Sequence, residues 1–124
     1  MTEQEVQEIY NRLLELTRAG KIRWEKTGKS EFTTNFSRSS VTVGRDGEID
    51  VLEGPIILKI FNDSGLVVAL ASTNESVSSI LGETDVKEFI LDPTELFDLV
   101  REKIYKYSET TENILDELRK LKAS

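Results

Sequence analysis

The stretch Ile56-Ile57-Leu58-Lys59-Ile60-Phe61-Asn62-Asp63-Ser64-Gly65-Leu66-Val67-Val68-Ala69-Leu70 decides how this chain is read. Two runs of β-branched and large apolar residues flank a polar tetrapeptide with the composition of a tight reversal, Gly65 supplying the positive φ. So short a connection joins antiparallel neighbours, because parallel strands need a crossover. Both runs are apolar at nearly every position. They therefore belong near the middle of a sheet, with a helix on one face and other cover on the second.

Period-two alternation continues upstream. Ile22 and Trp24 alternate with Arg23 and Glu25, Thr27-Gly28-Lys29 reads as a turn, and Phe32 and Phe36 flank polar residues. Val41 and Val43 alternate again, Arg45-Asp46-Gly47-Glu48 carries an Asp-Gly turn signal, and Ile49 and Val51 resume the pattern. Downstream, Asn74 is placed to cap a short helix through Val77, Ile80 and Leu81 that Gly82 would stop, and Val86 to Leu91 reads as a last strand or a linker.

Helical periodicity brackets this region. Thr2-Glu3-Gln4-Glu5 matches a capping box, and Val6, Ile9, Tyr10, Leu13, Leu14 and Leu16 recur at three- and four-residue steps behind it. The spacing predicts a helix over 3–19 with Gly20 as its left-handed stop. Asp92-Pro93-Thr94-Glu95 opens a second helical region with a capping Asp and Pro at the first position. Leu96, Phe97, Val100, Ile104, Tyr107, Thr111, Ile114, Leu115, Leu118 and Leu121 keep one face over 93–122, either as one helix or as two broken near Ser108–Thr111. Acids gather near its start and bases near its end, and Glu102 with Lys106 and Asp116 with Lys120 are spaced as i, i+4 pairs. The expected fold is α+β, a single domain over 1–124. It has an N-terminal helix, an antiparallel β-meander of four to six strands, and a long C-terminal helix or helix pair.

Composition narrows the chemistry. The 124 residues include no His and no Cys, which removes disulfides, thiolate nucleophiles, imidazole bases and the usual zinc or haem ligands. Sixteen Lys and Arg against 23 Asp and Glu give a net charge of −7, a surface that repels phosphate polymers at long range and makes nucleic acid an unfavoured partner. No apolar run approaches the roughly 18 residues of a membrane span. Met1-Thr2-Glu3-Gln4-Glu5 lacks a basic region followed by an apolar one, so no signal peptide or membrane contact is expected and the compartment reads as cytoplasmic. In that compartment the Asn-x-Ser triplets at Asn35, Asn62 and Asn74 are not glycan acceptors.

Site motifs are incomplete. Gly28-Lys29-Ser30 resembles the end of a phosphate-binding loop, but Arg23 stands where the first glycine belongs and a strand pattern follows. Asp46-Gly47-Glu48-Ile49-Asp50 spaces its acids like a calcium loop, yet Val51 and Ile57 occupy the positions that require Gly and a bidentate Glu. No catalytic, cofactor-binding or metal-ligating residue is assigned, and no cofactor is expected. Arg18, Lys21, Arg23, Lys26 and Lys29 form a basic run in an acidic chain, the best candidate contact for a polyanion or acidic partner. Alternation puts Arg23 on the opposite face from Trp24, which reads as core beneath the first helix. Leu99, Tyr105 and Leu115 add apolar surface off the main C-terminal stripe, the pattern of a helix that buries a second face against another subunit.

The segment Leu13-Leu14-Glu15-Leu16-Thr17-Arg18-Ala19-Gly20-Lys21-Ile22-Arg23-Trp24 resembles the opening of a loose group of small bacterial proteins without an established activity. Asp63-Ser64-Gly65-Leu66-Val67-Val68 and the C-terminal parts Leu96-Phe97-Asp98-Leu99 and Asn113-Ile114-Leu115-Asp116-Glu117-Leu118 are similar too. The resemblance implies an accessory or adaptor role beside effector or defence systems. The expected function is a non-enzymatic module that holds a protein partner through the sheet edge, the basic run or the exposed side of the C-terminal helix, with a homo-oligomer through that helix as one option. The alternatives are a small-ligand sensor or minor carboxylate-based enzyme with a pocket between sheet and helices, and weak nucleic-acid binding through Arg18–Lys29.

Overall fold

The computed structural model describes residues 1–45, 54–73 and 86–123. The expected Asp46-Gly47 turn, the Ile49–Val51 alternation, the calcium-like acids and the short helix after Asn74 lie outside the described residues. Helix α1 spans Glu3–Arg18. Among the described residues six strands follow, β1 (Glu25–Gly28), β2 (Glu31–Asn35), β3 (Ser40–Arg45), β4 (Ile56–Phe61), β5 (Val67–Ser72) and β6 (Lys87–Ile90), and then helices α2 (Thr94–Tyr105) and α3 (Tyr107–Ala123). This is an α+β fold.

Local rules account for most boundaries. Thr2 accepts the Glu5 amide while the Glu5 carboxylate accepts the Thr2 amide, so the capping box forms as expected. Gly20 takes φ +71° just beyond α1, a conformation that costs a side-chain-bearing residue about 1 kcal/mol or more. Between β4 and β5 the Asn62 side chain accepts the amides of Ser64 and Leu66, and Gly65 sits at φ +77°. Gly28-Lys29-Ser30 is the β1–β2 turn, with a strand and not a helix after it.

The strands lie in the order β1-β2-β3-β4-β5-β6, and each of the first four pairs antiparallel with the next. The first five strands form the expected antiparallel meander, and the sixth adds a parallel edge to it. β6 runs parallel to β5, with Ala69 opposite Lys87 and Ser72 opposite Ile90. The interval between Ser72 and Lys87 is long enough for the return that a parallel neighbour requires.

One sheet face carries the main core. Phe32, Val41, Val43, Leu58, Ile60, Ala69 and Ala71 meet Val6, Tyr10, Leu13 and Leu14 of α1 and Leu96, Phe97 and Val100 of α2. Trp24 is buried there, its indole N–H donating to Thr17 Oγ1 at 3.0 Å, so α1 and the approach to β1 are locked together. The opposite face is divided. Ile57 and Leu70 form a small apolar cluster on β4 and β5. On β1 to β3 the hydroxyls of Thr27, Thr33 and Thr42 are linked at 2.9 and 3.0 Å.

The chain's two ends meet through Tyr10. Its hydroxyl accepts the Leu96 amide at 3.3 Å in a buried setting, capping the first turn of α2 from α1. Burial pushes the phenol's pKa up, so the group stays neutral. Tyr10→Phe leaves that buried amide without a partner and is expected to cost about 1–3 kcal/mol, read as a lower urea midpoint at unchanged slope.

Candidate protein-interaction site

Helix α2 begins one residue later than its sequence signal. Pro93 is the residue preceding the helix, while the Asp92 carboxylate accepts both the amide and the hydroxyl of Thr94, holding the entry to the first turn. The helix ends at Lys106, which adopts φ 54° and ψ 47° and donates its amide to the Glu102 carbonyl at 2.8 Å.

The C-terminal region is thus two helices, and the break falls before the expected Ser108–Thr111. The reason is visible at Glu102, whose carboxylate accepts the Ser108 amide at 2.9 Å and so caps the first turn of α3. That contact replaces the expected Glu102–Lys106 pair, since Lys106 has left helical geometry. Asp116 likewise contacts Arg119 at 3.3 Å where Lys120 was expected.

An aromatic and cationic cluster braces the break. Phe97 stands 5.9 Å from Phe32, with the Arg45 and Arg101 guanidiniums 5.4 and 5.3 Å from its ring centre. Tyr105 stacks on Tyr107 with centroids 5.4 Å apart, and Arg101 reaches the Tyr107 hydroxyl at 3.2 Å.

Beyond this brace α3 buries nothing. At 100° per residue, Thr111, Ile114, Leu118 and Leu121 fall within an arc of about 80°, with Leu115 on its flank. Ile114 is 54% exposed, Leu118 56%, Leu121 71% and Leu115 38%. An amphipathic helix of this kind ordinarily turns its stripe to a core. Here the stripe faces outward, a contiguous exposed apolar row on a helix with no buried residue.

The remaining candidate residues scatter. Arg18 is engaged with Glu95 of α2, and Lys26 lies 5.4 Å over the Tyr105 ring. Lys21, Arg23 and Lys29 are exposed, Arg23 on the opposite side from the buried Trp24. Leu99 packs partly buried against the main core, so it belongs to the fold. Tyr105 is held between Tyr107 and Lys26 with its edge toward Phe32. Of the three apolar candidates Leu115 alone borders the outward stripe, beside the exposed Ile114 and Leu118.

A second surface is a groove of about 280 Å³ beside α1, lined by Ile9, Leu13 and Leu16 with Ile22, Phe36 and Ile60, and rimmed by Arg12. Among the described residues no cluster of three or more acids is arranged to hold a metal ion, and no helix is long and apolar enough to cross a membrane.

Among the described residues three carboxylates have lowered pKa values, each from hydrogen bonds at a helix start: Glu5 from the Thr2 amide and hydroxyl, Asp92 from Thr94, and Glu102 from Ser108. A depressed carboxylate stabilises the fold above its unfolded value and loses that contribution as pH falls through its folded one. Stability is therefore expected to decline below the ordinary values of 4.5 for Glu and 3.8 for Asp. Glu102→Gln should flatten part of that acid limb in urea titrations at several pH values.

Comparison with protein-family models, with curated proteins and with solved structures returned no match to this chain. The α+β architecture and the outward stripe of α3 are what define the molecule.

Proposed function

We propose that this chain is a non-enzymatic protein-interaction module of the cytoplasm, holding a polypeptide partner along α3. The single observation that carries the reading is the stripe of Ile114, Leu115 and Leu118, exposed on a helix with no buried residue. The absence of His and Cys supports a role in contact over catalysis. The accessory role implied by the group it resembles fits the same picture. A photo-crosslinking residue introduced at Leu118 in the native cell tests it. Adducts should converge on one polypeptide, while the same probe at Gln7, on the exposed side of α1, should not share that adduct. Scattered adducts at both positions would overturn the reading.

The groove beside α1 favours a second reading, a sensor of small apolar ligands. Thermal-shift screening separates the two, because a ligand that binds only the folded state raises its melting temperature and Leu16→Asp should abolish that rise.

A further inference from the structure

We infer that the polypeptide covering the α3 stripe is a second copy of this chain, in a parallel, in-register helix pair; the inference rests on the reading that this stripe is an interface. Thr111, Ile114, Leu118 and Leu121 are spaced three, four and three residues apart, the a/d seam of a two-stranded coil. Glu117 and Lys122 flank opposite edges of that seam, at g and e. Their five-residue separation is the one that brings a g residue against the e residue of a parallel partner, so each pair of chains gains two Glu117–Lys122 contacts.

An antiparallel pair with the same layers would instead bring Glu117 against its own copy. The other charges of α3, including the Asp116–Arg119 pair, lie away from the seam and leave it free of like-charge conflict. The seam from Thr111 to Leu121 gives about 15 Å of contact, less than a standard interface, so the pair forms reversibly and with rising concentration.

Sedimentation and engineered disulfides test this on the full chain. The weight-average mass should climb from 14.1 kDa toward twice that value as concentration rises. The chain has no Cys of its own, so Ile114→Cys, on the seam, should oxidise to a linked dimer much faster than Asp116→Cys, on the outer face. Glu117→Lys should weaken association about tenfold, and Glu117→Lys combined with Lys122→Glu should restore it. A constant monomer mass, equal oxidation rates at 114 and 116, or no rescue by the double exchange would each overturn the inference. A monomer whose residue 118 still crosslinks to one different protein would sink the self-pairing while leaving the proposed function intact.

Discussion

Phe97→Ala is expected to remove about 3–5 kcal/mol of folding stability, the cost of truncating a fully buried aromatic ring. Phe97 has no exposed surface and sits where α2 meets β2 and β3, against Phe32 and beneath two guanidinium groups. Its removal opens a cavity and takes away the ring on which Arg45 and Arg101 rest. Since domains of this kind hold only about 5–15 kcal/mol in all, the variant should unfold at a much lower urea concentration. A loss under about 1 kcal/mol would mean that α2 is not anchored as described.

The opposite result is expected for Ile114→Glu combined with Leu118→Glu. Both side chains are more than half exposed, so at low concentration the urea midpoint should stay within about 0.5 kcal/mol of the unsubstituted chain. Association should nevertheless fall by well over tenfold, since two charges would enter each chain's side of an apolar contact. Circular dichroism checks the fold, and sedimentation checks the pairing. A loss of stability comparable to that of Phe97→Ala would place the stripe inside the chain's own core.

These two variants separate what was legible in the sequence from what was not. Helix α1, the β4–β5 hairpin and the α2 entry were readable because their signals are local: a capping box, an Asn-Asp-Ser-Gly reversal, an Asp-Pro start. The segment from Leu13 to Trp24 is now explained as structure. Leu13 and Leu14 are buried, Thr17 receives the Trp24 indole, and Gly20 turns the chain. The parallel β6 was hidden, because pairing direction depends on where a distant strand edge lies and not on alternation within four residues.

The helix break at Lys106 was partly legible. Arg101 and Lys103 near the end of α2, followed by Glu109 and Glu112 early in α3, repeat the charge reversal that marks one helix ending and another starting. Reading 93–122 as one stripe obscured it, and with it the contrast between a buried first half and an exposed second. Nor could the linear run of bases show that Arg18 is engaged with Glu95 or that Lys26 is spent on Tyr105, both partners distant in sequence.

Amide hydrogen exchange along α3, compared with that of β3 and β4, tests the central claim most directly. In dilute protein the Ile114–Leu121 amides should exchange orders of magnitude faster than those of Val43 and Leu58, and slow as the stripe becomes covered. Equal, concentration-independent protection in α3 and the central strands would show that the helix is packed within its own chain, contradicting the account.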